Sequence, residues 1–485
     1  MTITEPITQT AGSDEAAIAE LHERFDLQRA AFLRDTYPTA ADRRARLEAL
    51  MGMMMGNRAR IREALSDDFE VHPGALSDLA EVLTVVGRAA YAHQHLEQWM
   101  APEPRETDPN LHGTARAAIV HQPKGVIGNM SPWNFPFDLS AGPLVDMLAA
   151  GNRVILKPSE YTPACSELLK EMVSSTFDRD LVGVVTGGLE LAKEFPTLRW
   201  DHLLYTGNTE VGRLVAKAAA ENLVPVTLEL GGKSPVVVLD DSVDESSVAQ
   251  ILGTKMVKNG QMCISPDYVF VPRDRIPEFV ELAKAHYADQ LAEYAASDDC
   301  TGIISERHLD RVGRLLDEAR ESGSEIVQLG GDEIDRDRRG MPVSLVIDPD
   351  QSLGLMREEI FGPVLPVVPY DSVDEAIGQV NAGERPLGLY VFAADEDAAQ
   401  EVLDRTVSGG AAVNACAAQG ALPSLGFGGV GHSGTGRHHG IDGFHEFSNP
   451  RGVVFRGEGG ALDAFLPPYR EQAKALLDGI FGPGQ

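Results

Sequence analysis

Cysteine is scarce in this chain, which has only four in 485 residues. They are scattered, with no CxxC pair and no spacing typical of a metal site, at Cys165, Cys263, Cys300 and Cys416. This distribution excludes a disulfide framework and fits a reducing compartment. We therefore expect a cytoplasmic protein that holds no structural metal.

Lysine is also rare: 10 Lys stand against 32 Arg, and the formal net charge is −31 with a pI near 4.7. Proteins bind nucleic acid through basic patches that neutralise phosphates, so we expect no nucleic-acid partner. The acidic surface indicates solubility and does not identify a function.

Long apolar runs are missing as well. Even the apolar stretch 143–150 carries Asp146, and the beginning, MTITEPITQTAGSDEAAIAE, has no basic region followed by an apolar one. We therefore expect no secretory signal and no membrane insertion. A chain of 485 residues is long enough for two or three domains.

The pattern of apolar residues changes near residue 117. Residues 14 to about 100 have apolar positions at a period near 3.6 and are expected to be helical. Short β-rich runs follow at 117–122, 125–130, 153–158, 181–187, 202–207 and 234–240. Helical stretches are predicted between them at 141–150, 164–176, 189–194 and 209–220. Alternating strands and helices predict an α/β fold with a mostly parallel sheet that binds ligands at the carboxyl ends of its strands.

A second alternating block runs from about 245 to 440. Its predicted helices are 246–258, 276–294, 307–321 and 373–381, and its predicted strands are 267–272, 344–347 and 364–368. After Pro467-Pro468 a short amphipathic helix is expected in the tail.

HLLYTGNTEVGRLVAKAAA, residues 202–220, predicts a strand, a glycine turn and a helix. A helix that starts after a glycine turn presents free N–H groups and a positive dipole end, which suit phosphate. Gly207 and Gly212 are five residues apart with Thr209 between them, so the usual G-x-G-x-x-G pattern is not met. The pattern alone leaves a nucleotide site and a plain α/β turn equally open. LKPSE, residues 156–160, ends an earlier predicted strand.

NGQMCIS, residues 259–265, places Cys263 in a short polar loop, which leaves both a structural cysteine and a nucleophile open. Three further stretches carry suitable chemistry. SPWNFPF exposes Asn134, LELGGKSP contains Glu229 in an apolar run, and REEIFGPVLP carries Glu359.

NGQMC, LELGGKSP, SPWNFP, LKPSE, YTGNTEVG and EEIFGPV resemble the motifs of the aldehyde dehydrogenase superfamily, in the family's order. LGFGGVGHSGTGRHHG, residues 425–440, is similar to its glycine-rich C-terminal motif. The N-terminal region and the tail look most like the class 3 branch, and 161–169 and 177–185 look most like its coniferyl aldehyde type.

The resemblance implies a role for each matching position. Cys263 would be the nucleophile, Asn134 an oxyanion donor and Glu229 the base that activates the hydrolytic water. It implies NAD as cofactor, with NADP left open, bound by Trp133, Lys157, Glu160, Thr206, Gly207, Asn208, Gly212, Glu359 and Phe361. The substrate would be an apolar aldehyde, either aromatic such as coniferyl aldehyde or long-chain. His432, His438, His439 and His445 fit no common zinc pattern and are treated as loop histidines.

The resemblance also implies an architecture. A Rossmann-like cofactor domain would comprise residues 1–102 and 126–230, and a catalytic domain residues 231–442. A small β element for oligomerisation would comprise 103–125 and 443–457, followed by a tail at 458–485. The branch usually forms a homodimer.

Two positions depart from the family pattern. Lys258 stands where asparagine is common, two residues before the Gly-Gln pair, and Gly426 stands where proline commonly leads the Phe-Gly-Gly motif. Two alternatives remain open: an enzyme that passes the acyl group to coenzyme A, and a non-catalytic protein on the same fold. Glu229 argues against the first, and the retention of the whole constellation argues against the second.

Overall fold

The computed structural model describes residues 11–291, 294–330 and 333–482. Its strands, in chain order, are β1 (Glu103–Arg105), β2 (Arg116–Pro123), β3 (Val126–Met130), β4 (Arg153–Lys157), β5 (Val182–Val184), β6 (His202–Gly207), β7 (Val226–Leu230), β8 (Pro235–Val238), β9 (Tyr268–Pro272), β10 (Glu325–Gln328), β11 (Ser344–Ile347), β12 (Val364–Tyr370), β13 (Gly388–Phe392), β14 (Gly410–Val413), β15 (Gly434–Thr435) and β16 (Ser448–Phe455).

The α-helices are α1 (Ala11–Arg34), α2 (Ala40–Gly56), α3 (Arg58–Phe69), α4 (Gly74–Leu76), α5 (Thr84–Met100), α6 (Pro109–His112), α7 (Asp138–Ala149), α8 (Pro163–Thr176), α9 (Leu189–Glu194), α10 (Thr209–Ala220), α11 (Glu245–Met256), α12 (Ile276–Gln290), α13 (Glu306–Glu321), α14 (Gly354–Arg357), α15 (Val373–Ala382), α16 (Glu396–Asp404), α17 (Gly440–Glu446) and α18 (Glu471–Phe481). A π-helical segment, Ser77–Leu83, joins α4 to α5. None of these described helices is both long and apolar enough to cross a membrane.

The strands form three sheets. The first has the order β15-β7-β6-β3-β4-β5 and is parallel except at β15. The second has the order β10-β11-β12-β9-β8-β13-β14 and is parallel except at β10. The third, β1-β2-β16, is antiparallel. The predicted α/β fold with mostly parallel sheets is therefore confirmed.

Both faces of the parallel sheets are buried, as helices on both sides require. On β8, Val236 and Val238 pack into one apolar cluster with α11 and α12, whereas Val237 packs into another with α15 and α16. The first sheet likewise separates α2, α5, α7 and α8 from α1, α9 and α10. This burial explains why the strands were recognised from short apolar runs.

Most predicted elements agree with the structure, and the differences lie mainly at the ends of helices and strands. The helix predicted at 246–258 ends at Met256, and the one predicted at 276–294 ends at Gln290. The strand predicted at 181–187 shortens to β5. The division of the chain into domains stays a prediction.

Gly212, in the first turns of α10, lets this helix lie close to β7. A Cβ built on Gly212 would be 2.6 Å from Leu230 Cδ2. Close packing of helix on strand is the usual role of the third glycine in a dinucleotide-binding turn. Gly212 therefore has that role even though the middle glycine is absent.

We expect Gly212→Ala to lower the free energy of unfolding by about 1–3 kcal/mol, because the added methyl group overpacks the contact with Leu230. Gly253→Ala in α11 is the matched control, since nothing lies within 4 Å of a Cβ there. It is expected to stabilise by about 0.5–1 kcal/mol through helix propensity. Urea denaturation of the two variants checks this, and equal midpoints would contradict the packing role of Gly212.

Candidate active site

The loop that carries Cys263 begins with an unusual reversal of the backbone. After α11, three consecutive residues have positive φ: Lys258 at 49°, Asn259 at 53° and Gly260 at 77°. Left-handed conformations cost roughly 1–2 kcal/mol at non-glycine residues, so surrounding contacts must hold them. A Cβ on Gly260 would lie 2.3 Å from the carbonyl oxygen of Gly362, so glycine is required there.

Gln261 holds this loop from inside. Its Nε2 donates to the carbonyl oxygens of Lys258, at 2.9 Å, and Gly302, at 3.0 Å, while its Oε1 accepts from the backbone N–H of Ile304 at 2.9 Å. The carbonyl oxygen of Gln261 in turn accepts from Asn134 Nδ2 at 3.1 Å. The buried amide of Asn134, which follows β3, is thereby fixed two residues from Cys263.

Glu229 lies on β7, between Thr206 on β6 and Gly434 on β15. Its side chain is buried, and neither carboxylate oxygen has a hydrogen-bond partner within the described residues. Burial raises the pKa of Glu229 well above its ordinary value, and the carboxylate of Glu446 raises it further, while Arg437 lowers it. A carboxyl group with a raised pKa holds its proton more readily and suits general acid–base chemistry.

Glu359 follows α14 and fills the space above Gly231, where a Cβ would lie 2.1 Å from its Oε2. Burial, and next the charge of Asp267, raises the pKa of Glu359 to about 8. Its Oε1 is buried without a hydrogen-bond partner among the described residues. Gly231 thus leaves room for the carboxylate of Glu359.

The thiol of Cys263 is half-buried, in contrast to the three other cysteines. Burial raises its pKa, and the carboxylates of Glu359 and Glu229 raise it further. The backbone N–H groups of Cys263 and Ile264 act in the opposite direction. The three side chains therefore interact electrostatically, and the resting thiol is protonated at neutral pH.

Trp133 and Phe361 form the aromatic part of the site. Their ring centroids are 5.4 Å apart with the rings edge to face, and Trp133 also contacts His308 at 5.3 Å. Phe361 has a φ of 49°, so its position is held by the surrounding structure. Burial lowers the pKa of His308 to about 4, so this ring is neutral.

Most of the predicted cofactor residues lie at one edge of the first sheet, because they follow or end its parallel strands, whereas Glu359 and Phe361 precede β12 of the second sheet. Lys157 ends β4, and its buried ammonium donates to Glu160 Oε2 at 3.1 Å and to the Pro158 carbonyl oxygen at 3.2 Å. Gly207 ends β6. Asn208 caps α10, its side-chain oxygen accepting from two backbone N–H groups of the first turn.

Buried polar atoms without a protein partner mark where a ligand would fit. Thr206 Oγ1, Glu359 Oε1 and both oxygens of Glu229 have this property among the described residues. Since such atoms cost free energy unless they are hydrogen-bonded, each of these four is available to a bound polar ligand or water. A nucleotide with ribose hydroxyls matches this set of acceptors and donors.

Several supporting residues were missed by sequence reasoning. Glu81 forms an ion pair with Lys258, Gln261 anchors the loop, and Tyr390 donates from its hydroxyl to the Ile264 carbonyl oxygen at 2.6 Å. Local patterns do not join residues so far apart along the chain. Lys258 alone carried a signal, because it departs from the family pattern.

Gly426, which stands where the family pattern commonly has proline, has a steric reason. A Cβ on Gly426 would lie 2.5 Å from Asp442 Oδ2, so glycine allows this carboxylate to approach the backbone. A proline at this position would meet the same obstacle.

Two other features lie outside the site. Glu103, His121 and His445 form the cluster of metal-type ligands found among the described residues, and Glu103 is engaged by His121 at 2.7 Å and by Arg105 at 2.8 Å. These bonds account for the cluster without an ion. A cavity of about 880 Å³ lies along 429–437, and none of the predicted site residues lines it.

Known proteins are similar in sequence to this chain over most of its length. The profile of the aldehyde dehydrogenase family matches residues 4–453. A probable coniferyl aldehyde dehydrogenase of Caulobacter vibrioides is 40% identical over 474 residues, covering 96% of this chain and 98% of the relative. The coniferyl aldehyde dehydrogenase of a Pseudomonas species is 39% identical over 440 residues, covering 90% and 91%. Aldehyde dehydrogenase family 3 member H1 of Arabidopsis thaliana is 35% identical over 439 residues, covering 90% and 89%.

Solved structures agree. A substrate-bound state of Staphylococcus aureus AldH superposes with a TM-score of 0.86 at 32% identity, covering 95% of this chain and 99% of that one. A Mycobacterium tuberculosis aldehyde dehydrogenase complexed with NAD+ superposes with a TM-score of 0.82 at 26% identity, covering 91% of each chain. The expected fold is thereby confirmed.

The raised pKa of Cys263 predicts a specific alkylation profile. Because the thiol is protonated at neutral pH, its reaction with iodoacetamide in the free protein should be slow at pH 7 and still rise above the pKa of about 8.5 of an ordinary cysteine. Glu229→Gln removes one of the charges that raise this pKa, so alkylation should become faster at a given pH. Peptide mass spectrometry over a pH series measures both, and a plateau below pH 8 in the unmodified chain would contradict the charge arrangement.

Proposed function

The chain belongs to the aldehyde dehydrogenase family, and from this premise we propose that it oxidises an apolar aldehyde to the carboxylic acid with NAD, through a covalent intermediate on Cys263. The observation that carries the proposal is the half-buried thiol of Cys263 beside two buried carboxyl groups, Glu229 and Glu359, and the fixed amide of Asn134.

The first step needs a thiolate. We infer that the Cys263 thiol loses its proton to water, and that the backbone N–H groups of Cys263 and Ile264 favour the thiolate. The sulfur then adds to the aldehyde carbon, and the carbonyl oxygen becomes the oxyanion of a thiohemiacetal. The negative charge lies first on the sulfur and then on the substrate oxygen.

Asn134 would stabilise that oxyanion. An amide nitrogen carries two hydrogens, and Asn134 Nδ2 uses one for the Gln261 carbonyl oxygen. The second hydrogen, together with the Cys263 backbone N–H, forms the proposed oxyanion hole. A donor of this kind is worth about 2.7–4 kcal/mol where it has been removed by mutation.

Bound NAD would supply the hydride acceptor for oxidation of the thiohemiacetal carbon, and Cys263 would then hold the acyl group as a thioester. Glu229 then removes a proton from water, the water oxygen adds to the thioester carbon, and the thiol leaves as the acid is released. One aldehyde, one water and one NAD+ give one acid, one NADH and one proton, so the sequence balances.

The residues proposed to hold NAD fit its chemistry. The hydroxyl of Thr206 and the free oxygen of Glu359 match polar groups of the nicotinamide half, while Lys157 and Glu160 match the adenosine ribose. A carboxylate at Glu160 favours a free 2′-hydroxyl over a 2′-phosphate, so NAD is proposed as the main cofactor, with NADP as the second.

The relatives guide the proposed substrate class. Two of the most similar proteins bear the name coniferyl aldehyde dehydrogenase, so an aromatic aldehyde of that type is the first candidate and a long-chain aldehyde the second. We further propose a cytoplasmic homodimer in which the third sheet takes part in the subunit contact. The domain division given above is proposed on the same basis.

The test of substrate class is NADH formation with a panel of aldehydes, each measured with the unmodified chain and with Cys263→Ala. Activity on coniferyl or long-chain aldehydes that disappears in the variant supports the proposal. Activity that survives in Cys263→Ala would remove Cys263 as the nucleophile.

Glu229→Gln should separate the two halves of the reaction. Because water is no longer activated, steady-state turnover should fall by roughly 10²–10⁴-fold. A rapid burst of close to one NADH per active site should precede the slow phase, because formation of the thioester does not need this base. Stopped-flow absorbance of NADH measures both, and unchanged turnover would contradict the role of Glu229 in hydrolysis.

A further inference from the structure

Lys258 and Glu81 form an ion pair that is completely buried. Lys258 Nζ lies 2.7 Å from Glu81 Oε1, and the exposed fraction of each side chain is 0%. Removing two charges from water costs several kcal/mol per ion unless the partners and hydrogen bonds compensate. A pair of this kind needs a structural explanation, and its surroundings supply one.

The ammonium group of Lys258 has further partners besides Glu81. It donates to the backbone carbonyl oxygen of Asn134, and it lies 4.8 Å from the ring centroid of Phe69 and 4.4 Å from that of Phe135. Carboxylate, carbonyl and two aromatic faces thus surround the charge. The side chain is directed at the residue proposed to bind the oxyanion.

Glu81 holds the other end of the same stretch. Its Oε2 accepts from the backbone N–H groups of Phe137, at 3.0 Å, and Asp138, at 2.9 Å, at the start of α7. Residues 134–138 are therefore fixed at their beginning by Lys258 and at their end by Glu81. The ion pair joins both contacts into one unit.

Three side chains close a ring of hydrogen bonds around this unit. Lys258 donates to the Asn134 carbonyl oxygen, Asn134 donates to the Gln261 carbonyl oxygen, and Gln261 donates to the Lys258 carbonyl oxygen. Each residue of the ring fixes the backbone of the next. Cys263 is two residues beyond Gln261, so the ring links the nucleophile loop to the amide of Asn134.

We propose that Lys258, with Glu81, is a positioning residue that sets the amide of Asn134 relative to Cys263 for oxyanion stabilisation. The inference rests on the proposed roles of Cys263 and Asn134. Lys258 acts through Asn134 and Gln261 and does not touch the reacting atoms. An asparagine at 258, the residue common in the family, is uncharged and therefore could not form an ion pair with Glu81.

The test uses acylation of Cys263 by p-nitrophenyl acetate, which needs the nucleophile and the oxyanion donors but neither NAD nor the correct aldehyde. Lys258→Met keeps the length and apolar stem of the side chain and removes its charge. We expect its acylation rate constant to fall roughly 10²-fold, the loss typical of a displaced oxyanion donor. The NAD dissociation constant, measured by quenching of tryptophan fluorescence, should change less than about twofold, because Lys258 bonds to none of the proposed cofactor residues.

Lys170→Met is the matched control. Lys170 pairs with Glu20 at 2.9 Å on α8 and α1, away from the nucleophile loop. This variant loses the same charge and should keep the acylation rate constant of the unmodified chain. A thermal unfolding curve for each variant defines the temperature at which all are folded and compared.

Glu81→Gln keeps the shape of the side chain and replaces Lys258→Met as the test variant if Lys258→Met does not fold. Its acylation rate constant should fall about tenfold. Acylation within threefold of the unmodified chain in either folded variant would overturn the positioning role of Lys258. Cys263→Ala is measured beside them. If Cys263→Ala is still acylated at the native rate, the assignment of Cys263 as the nucleophile fails. If Cys263→Ala is not acylated and Lys258→Met is acylated at the native rate, only the positioning role of Lys258 fails.

Discussion

The buried ion pair between Lys258 and Glu81 is the constraint on which the site depends. It joins the π-helical segment 77–83, the loop after β3 and the loop after α11, which are far apart along the chain. A lysine with left-handed φ and no exposure is unfavourable alone. Its carboxylate partner and the surrounding hydrogen bonds stabilise this arrangement. They thereby also stabilise the backbone reversal that precedes Cys263.

The charges at the site form a second constraint. Glu229 and Glu359 are buried without full hydrogen bonding, and each raises the pKa of Cys263. The thiol is therefore kept in its protonated, less reactive form until ligands change the surroundings, which fits a covalent mechanism that must avoid side reactions.

Much of the fold was predictable because its signals are local. The strand and helix at 202–220 agree residue by residue with β6 and α10, since apolar period and glycine turn lie side by side. β7 was not recognised as a strand, because Glu229 interrupts its apolar run and burial of that charge is a tertiary effect. Glu81 had no local signal at all. The candidate catalytic residues came from a resemblance in six motifs, whereas their support comes from contacts between distant residues.

The most direct measurement is the mass of the peptide that contains Cys263 after Glu229→Gln is mixed with NAD and coniferyl aldehyde and quenched in acid. An acyl thioester on Cys263, lost on treatment with hydroxylamine and dependent on NAD, is the predicted result. NADH formation accompanied by an unmodified Cys263 peptide, or by an acyl group on another residue, would contradict covalent catalysis at this cysteine.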